Sequence, residues 1–286
     1  MAEMSLRGAR DIDRAALVSL RGYGGPRTEP HLVAAIFRDP RLRQAIISAV
    51  DPRWQRVRVH TVFVHVRPRV SYSCDGVTRR CELGDAFILY RERLRTGQMR
   101  RQAVLFQAKR WSGPERNWVN TDPDQHALYQ HWPPFQIAGG PSVEIRLPPG
   151  DYGRVLGLDA RLQPDVPRVS PRRPTEPGCT RNAHPWMDTI GTLGRAVRGV
   201  IRFQVGECVE GDWAIAVGDI IWRVGRACPG PTYPSGSRGG ATARRSLSSI
   251  DDMFDGIDDL PPEEDDDLGG DEGPLSMLLI DATDLE

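Results

Sequence analysis

Lys109 is the only lysine among the 38 basic residues of this 286-residue chain, and all the others are arginine. An ammonium group can take part in proton transfer or act as a compact point charge, whereas a guanidinium stays protonated. A single lysine in such a chain therefore indicates a chemical role at that position. Gln107 lies two residues earlier in an apolar, strand-like run, so the two side chains are expected on one face of a sheet.

Asp85 is a carboxylate in apolar surroundings, because Ala-Phe-Ile-Leu follows it directly. Burying a carboxylate costs free energy unless it is paired or binds a metal. Mg²⁺ and Mn²⁺ prefer carboxylate and carbonyl oxygens. Asp85, the amide oxygen of Gln107 and the backbone carbonyl of Ala108 are therefore candidate ligands for such an ion. Lys109 would orient or deprotonate a water that attacks a phosphodiester and stabilise the negative charge that develops.

The order Asp85, about twenty residues, then Gln107-x-Lys109 resembles the PD-(D/E)xK nuclease superfamily in its QxK form. Gln125 and Tyr129 match the Q-x-x-x-Y element that follows the lysine in the RecB-like branch, where both residues line the groove from one helical face. The resemblance covers residues 29–135. It implies an α/β, restriction-endonuclease-like mixed sheet flanked by helices, dependence on Mg²⁺ or Mn²⁺, and cleavage of DNA.

Gln107 replaces the usual glutamate of that pattern, which removes one negative charge and calls for a further ligand. Glu82 is three residues from Asp85, so in an ideal strand it points to the opposite face and would contribute only if Gly84 forms a bulge. Glu29 stands near the start of the first predicted helix, where the superfamily often supplies an acidic residue. His65 could bind metal as a histidine does in RecB-like sites, or it could be structural.

The elements that must position these residues follow from periodicity. Residues 29–50 space apolar side chains at helical intervals around Pro40, which predicts two short helices or one broken helix. The runs 57–73, 81–90 and 102–111 predict a three-stranded meander, and residues 121–132 predict a capped helix after it. We expect residues 1–140 to form the nuclease-like core.

The remaining chain is expected to form a β-rich extension and a tail. In residues 141–229, strands are predicted at 142–147, 201–206 and 213–224, and a helix at about 185–199. This extension would complete or flank the core. Residues 230–247 resemble a linker, and an acidic, disordered tail is expected to follow up to residue 286. The last apolar patch of the tail, residues 275–280, could dock on another surface.

Charge is distributed unevenly along the chain. Residues 251–286 contain fifteen acidic and no basic residues, which leaves 38 basic against 23 acidic residues in the rest. A basic body favours an anionic partner such as DNA. Several arginines crowd the turn between two of the predicted strands and are candidate phosphate contacts, or else a solvated turn: Arg91, Arg93, Arg95, Arg100 and Arg101. The tail could fold over the basic face and mimic DNA until a regulatory protein partner displaces it.

No run is long and apolar enough for a membrane span, and the N-terminus lacks a signal-like segment, so a cytoplasmic enzyme is expected. The five cysteines are expected to be buried thiols, and a Cys/His zinc site is the alternative. The favoured function is a metal-dependent DNA nuclease that serves as an antiviral defence effector of a prokaryote and acts on ends or on internal bonds. The alternatives are an RNA nuclease and a non-catalytic module that uses a nuclease-like fold to bind nucleic acid or protein.

Overall fold

The chain forms a mixed sheet with helices on both faces. A computed structural model describes residues 4–50, 54, 56–64, 68–111, 122–138, 143–170, 179, 191–227 and 275–284. The helices are α1 (Leu6–Gly22), α2 (Glu29–Phe37), α3 (Pro40–Ala49), α4 (Pro123–His131), α5 (Leu193–Ile201) and α6 (Gly211–Ala227). The strands are β1 (Arg56–Val64), β2 (Arg69–Cys74), β3 (Val77–Glu82), β4 (Ala86–Arg93), β5 (Met99–Trp111), β6 (Phe135–Ile137), β7 (Gly153–Asp159), β8 (Arg168–Val169), β9 (Gly191–Thr192), β10 (Glu207–Cys208) and β11 (Leu275–Thr283).

The main sheet has the order β1-β11-β4-β5-β7-β8-β9, and β10 also pairs with β5. β11 runs antiparallel to β1 and parallel to β4. β5 runs antiparallel to β4 and parallel to β7. A smaller antiparallel sheet has the order β3-β2-β6. The expected α/β architecture, a mixed sheet flanked by helices, is confirmed.

Two hydrophobic cores lie on opposite faces of the main sheet, because its strands alternate their side chains between them. One core joins Ile88, Val104 and Phe106 to α1, α2, α3 and α5. The other joins Phe87 and Leu105 to α4, α6 and the smaller sheet. Gln107 and Lys109 follow the parity of Leu105, so they share the face on which α4 packs.

The expectation of a disordered acidic tail is wrong for residues 275–284. Residues 275–283 form β11, which is buried along its whole length between β1 and β4. A strand buried on both faces is almost continuously apolar, and residues 275–280 have this composition. Asp281 is only 1% exposed and accepts hydrogen bonds from Arg58 at 2.7 Å and Arg91 at 2.8 Å. The tail therefore contributes an internal strand, and residues 230–274 lie outside the described part.

The expected β-rich extension is also largely wrong. Residues 213–224 belong to helix α6, and α5 continues through Ile201, where a strand was expected to begin. In α6 the buried residues fall at helical intervals: Trp213, Ala216, Val217, Ile220 and Ile221. This periodicity outweighs the β-propensity of the Ile and Val residues. The principal strand of this region is β7, which is absent from the predicted elements, while the predicted strand at 142–147 reduces to one bridge between Ile145 and Phe135.

The predictions for the first half are mostly confirmed. The helical region breaks at Pro40 into α2 and α3, Asp122 caps α4, and β4 pairs with β5 through a hairpin. The runs at 57–73 and 81–90, however, each split into strands of different sheets. The three-stranded meander is therefore wrong, because β11 separates β1 from β4 and β3 joins the smaller sheet.

Two further expectations concern membranes and cysteines. No helix in the described ranges is long and apolar enough to cross a membrane. Cys74 and Cys179 form a disulfide, which corrects the expectation that all five cysteines are buried thiols. Cys81 is a buried thiol, Cys208 is an exposed one, and Cys228 lies outside the described residues.

Candidate metal and active site

The site lies where β5 extends beyond the start of β4. Ala86 pairs with Phe106, and Asp85 still donates its N–H to the Phe106 carbonyl at 2.9 Å, but β5 continues to Trp111. Two backbone N–H groups on this strand would lack a partner there. Side-chain carboxylates take that place: Asp85 Oδ2 accepts from Ala108 N at 2.8 Å, and Glu29 Oε1 accepts from Arg110 N at 3.0 Å.

Two carboxylates therefore line one end of β5. Residues 108 and 110 are two positions apart, so the N–H groups that hold these carboxylates are about 6.6 Å apart along the strand. Glu29 comes from the first turn of α2, and Asp85 from the segment just before β4. The structure thus brings Glu29 to the same strand end as Asp85 and the Gln107-x-Lys109 pair.

Gln107 contacts Asp85 directly. Its Nε2 donates to Asp85 Oδ2, and both side chains are buried. The other amide atom, Gln107 Oε1, is buried and has no hydrogen-bond partner among the described residues. A buried acceptor without a donor is costly unless a ligand or an ion satisfies it.

The protonation of Asp85 is shifted by its surroundings. Burial raises the pKa of Asp85 to about 7, while the Lys109 ammonium opposes this rise and the carboxylates of Glu82 and Glu29 reinforce it. The pKa rises because the charged form loses water without gaining enough compensating positive charge. A cation next to Asp85 would reverse the shift. The carboxylate is therefore poised to exchange a proton for a positive ligand at neutral pH.

Helix α4 positions the rest of the site. Lys109 Nζ donates to Gln125 Oε1 at 3.2 Å, which fixes the ammonium group on the α4 face. Tyr129, one turn further along the helix, donates its hydroxyl to the Leu83 carbonyl at 2.7 Å. Burial raises the pKa of Tyr129, and the nearby Asp85 raises it further, so the hydroxyl stays a donor. Gln125 thus holds the lysine, and Tyr129 holds the segment that leads to Asp85.

Glycines permit the close approach of Tyr129 to this segment. A Cβ on Gly84 would lie 2.9 Å from the Tyr129 hydroxyl oxygen and 3.2 Å from the Phe106 carbonyl oxygen. A Cβ on Gly153, in β7, would lie 2.5 Å from Tyr129 Cε1. The 2.9 Å and 2.5 Å distances are shorter than a side chain tolerates without displacement. Gly84 is therefore needed at the point where the chain leaves the smaller sheet for the main one.

Glu82 lies near Asp85 because the chain passes from one sheet to the other between them, and not because Gly84 forms a bulge within one strand. β3 ends at Glu82 and β4 begins at Ala86, in separate sheets, so the alternation of faces is interrupted between them. The half-buried Glu82 carboxylate raises the pKa of both Asp85 and Tyr129, which places it near them. His65 lies outside the described residues.

Two residues of the cleft at this site, His126 and Val155, are not among those predicted from the sequence. The narrow cleft is lined by Gln107, Lys109, Gln125, His126, Tyr129 and Val155. His126 follows Gln125 inside the Q-x-x-x-Y element, so its position next to a motif residue was the available signal. Val155 comes from β7 and pairs with Gln107 in the sheet. No sequence pattern predicts this contact.

The arginine-rich turn does not belong to this cluster. The β4–β5 hairpin joins the ends of the strands farthest from Asp85, and the eight residues from Ala86 to Arg93 span about 23 Å. Arg91 is only 1% exposed and pairs with Asp281, while Arg95 pairs with Asp284 at 2.8 Å. Arg100 pairs with Glu92 at 2.9 Å and lies 3.9 Å above the Phe203 ring.

The other two predicted contacts of that turn, Arg93 and Arg101, are half-buried and have interaction partners of their own. The expectation that this turn is a free phosphate-binding surface is therefore wrong for Arg91, and the paired carboxylates weaken it for Arg95 and Arg100. Arginines of this turn form ion pairs with carboxylates of the protein itself.

The oxygen atoms at the site are of the kind that binds a hard divalent cation. Asp85, the unpartnered Gln107 Oε1, the Ala108 carbonyl and Glu29 are the candidate donors. No group of three or more His, Cys, Asp or Glu side chains placed to hold a metal occurs in the part of the chain that the structure describes. A site here would therefore combine carboxylate, amide and backbone oxygens.

Comparison with known proteins does not assign the chain to a family. No protein-family model, curated protein or solved structure matches the chain significantly. The assignment of function therefore depends on the geometry of this site.

Proposed function

We propose that this protein is a metal-dependent nuclease that hydrolyses phosphodiester bonds of DNA, with a core of the restriction-endonuclease type. The observation that carries the proposal is the convergence of Asp85, Gln107 and Lys109 at one strand end, although Asp85 lies 22 residues before Gln107 in the chain. Gln125 and Tyr129, the two residues of the helical motif, both contact this group or the segment that carries it.

Asp85, Gln107 Oε1 and the Ala108 carbonyl would hold Mg²⁺ or Mn²⁺, with Glu29 as a further carboxylate and Glu82 close by. The fit is supported by the buried, unpartnered Gln107 Oε1 and by the raised pKa of Asp85, because a cation would satisfy both. When bound, such an ion activates water and neutralises the charge that develops on the phosphate.

The side chains of the protein would supply orientation and charge. Lys109, held by Gln125, would place its ammonium beside the scissile phosphate, where it could orient the attacking water and stabilise the developing negative charge. Tyr129 would act as a positioning residue, since its hydroxyl is engaged with the Leu83 carbonyl. This bond holds the segment in which Asp85 sits.

The outer face of β2 and β3 is the surface that we assign to the DNA backbone, in place of the arginine turn. Arg69 pairs with Glu82 in the backbone register, and Ser71 pairs with Arg80. The Arg69 and Arg80 side chains are exposed and form no hydrogen bond or ion pair within the described ranges. This face leads through Glu82 to Asp85, so phosphates bound there would lie next to the reactive group.

The cellular role follows from the same proposal. We propose that the nuclease meets DNA in the cytoplasm and acts there in defence against foreign DNA. The DNA-mimic tail requires revision, because residues 275–283 are β11. Only the acidic residues before 275 could engage the basic face or a regulatory protein partner.

The deciding experiment is cleavage of supercoiled plasmid, linear DNA and RNA with Mg²⁺, Mn²⁺ or EDTA. Asp85→Asn and Lys109→Arg should each lower kcat at least about a hundredfold, because one removes a carboxylate ligand and the other removes proton transfer while keeping the charge. Arg95→Gln, at the far hairpin, is the matched control and should cleave normally. Cleavage that resists EDTA, or that survives both site variants, would refute the assignment.

A non-catalytic binding module is the second candidate, favoured by one observation. Gln107 donates directly to Asp85, so the site can close on itself without a cation, and the glutamate usual in the resembled pattern is absent. A binding module would retain nucleic-acid affinity in EDTA and in the Asp85→Asn and Lys109→Arg variants, with no cleavage under any metal. Preferential cleavage of RNA in the same assay would instead identify an RNA nuclease.

A further inference from the structure

A second pocket, of about 280 Å³, lies between the N-terminal parts of α1 and α5. Three arginines from different elements line it: Arg10 from α1, Arg168 from β8 and Arg195 from α5. Leu6 and Ala9 provide an apolar wall. The volume is close to the lower end of the range for small-molecule sites. The pocket is therefore large enough for a small ligand that carries a charged group.

Two of the three guanidinium groups have no ion pair within the described residues, and the third is only partly engaged. The Arg10 and Arg195 side chains have no hydrogen bond or ion pair with any residue whose position is described, and both are exposed. Arg168 pairs with Asp165 at 3.2 Å, yet its Nε is buried and has no acceptor among the described residues. Like charges that converge from separate elements repel one another, so an anion between them would be bound favourably.

Asp13 is the acidic residue that lines this pocket, and both of its carboxylate oxygens accept hydrogen bonds from the protein. Its two carboxylate oxygens accept from the Thr192 hydroxyl at 2.6 Å and from Gly194 N at 2.7 Å. Burial raises the pKa of Asp13, while its hydrogen bonds and the nearby Arg168 and Arg195 oppose the rise. Asp13 thus fixes α1 against the start of α5 and leaves the arginines available.

From these contacts we infer that the pocket between α1 and α5 binds a small phosphorylated ligand through Arg10, Arg168 and Arg195. Guanidinium groups match phosphate oxygens with paired N–H donors, which makes arginine the residue suited to this anion. The apolar wall formed by Leu6 and Ala9 would contact the organic part of the ligand. A phosphate monoester of nucleotide size satisfies both requirements, and this inference does not depend on nuclease activity.

The pocket and the candidate active site are connected through the sheet, although α1 and α5 pack on the face opposite to that of Lys109. Lys109 pairs with Gly157, Gly157 with Arg168, and Arg168 with Thr192, so one row of residues crosses from β5 to the pocket. Two strand spacings separate the backbones of Lys109 and Arg168, about 10 Å. A phosphate on a nucleic-acid strand is therefore a second source of the same chemical group, and the test must separate it from a free ligand.

Calorimetric titration of the full chain with adenosine 5′-monophosphate, inorganic phosphate and adenosine tests the inference. We expect saturable binding of the monophosphate, weaker binding of phosphate, and none of adenosine. Arg10→Gln and Arg195→Gln should each weaken monophosphate binding about tenfold, because each removes a charged hydrogen-bond donor. Arg21→Gln, eleven residues along the same helix and about 16 Å away, should have no effect.

Absence of saturable binding, or equal weakening by all three variants, would overturn the inference. A single-stranded oligonucleotide without terminal phosphates distinguishes the two sources. If the Arg10 and Arg195 variants weaken only oligonucleotide binding, the pocket serves the nucleic-acid strand and the small-ligand inference fails. If cleavage is absent but monophosphate binding behaves as expected, the nuclease proposal fails and this one stands.

Discussion

Replacement of Asp85 by asparagine should stabilise the protein at neutral and alkaline pH in the absence of metal. The folded-state pKa of about 7 exceeds the ordinary value of 3.8, so folding favours the protonated form. Between these two values the unfolded state is ionised while the folded state keeps its proton. The wild type therefore loses stability as the pH rises through this window, at about 1.4 kcal/mol per pH unit, and the loss levels off above pH 7.

The magnitude follows from the same two pKa values. Asparagine stays neutral, and its Oδ1 can take the place of Asp85 Oδ2 and accept from Gln107 Nε2 and Ala108 N. The stability of Asp85→Asn relative to the wild type should rise by about 3 kcal/mol between pH 5 and pH 8. For a protein of this size, that difference corresponds to about 5 to 10 °C in Tm.

Urea unfolding of both proteins at pH 5, 6, 7 and 8 in EDTA measures this directly. Other titrating groups are common to both proteins, so the difference between them isolates Asp85. Addition of Mg²⁺ or Mn²⁺ at pH 8 should stabilise the wild type and leave the variant nearly unchanged, which narrows the gap. A stability difference that does not depend on pH, or a variant that is less stable than the wild type at pH 8, would show that burial does not raise the pKa of Asp85.

Further perturbations test the other parts of the site and sheet. Arg80→Gln should weaken DNA binding and lower the slope of log affinity against log salt by about one, whereas Arg95→Gln, already paired with Asp284, should change neither in a filter-binding assay. Gln107→Glu should tighten Mn²⁺ binding in calorimetry and destabilise the metal-free protein; unchanged metal affinity would exclude Gln107 as a ligand. Asp281→Ala should cost about 3 to 5 kcal/mol in urea unfolding, because two arginine side chains lose a buried carboxylate, and a cost below about 1 kcal/mol would contradict the buried pairing.

Much of the candidate site could be predicted because it depends on short-range patterns. The two-residue spacing of Gln107 and Lys109 and the four-residue spacing of Gln125 and Tyr129 fix which side chains share a face. Asp85 was identifiable as a carboxylate in an apolar run. The structure brings these residues together, and it places Glu29, the acidic candidate from the first predicted helix, at the same strand end.

The rest depends on long-range pairing, which local patterns do not encode. The apolar run of β11 is surrounded by acidic residues, so its composition indicated a solvated tail, although its partners lie about 190 residues earlier in β4. The buried Arg91 could not be distinguished from its exposed neighbours, because its carboxylate partner comes from β11. In α6, β-branched residues masked a helical spacing that a count of apolar intervals would have found.

The buried Asp281 has a consequence for how β11 finds its place. A strand that is apolar toward both faces can slip past its neighbours with little loss of hydrophobic burial, so its side chains define the alignment only weakly. One carboxylate that must meet guanidinium groups from the strands on either side allows a single alignment. A shift of one residue would turn Asp281 to the opposite core and leave Arg58 and Arg91 without their partner. The carboxylate of Asp281 thus fixes the register of an otherwise apolar strand. It also fixes the register between β11 and β4, the strand that begins beside Asp85.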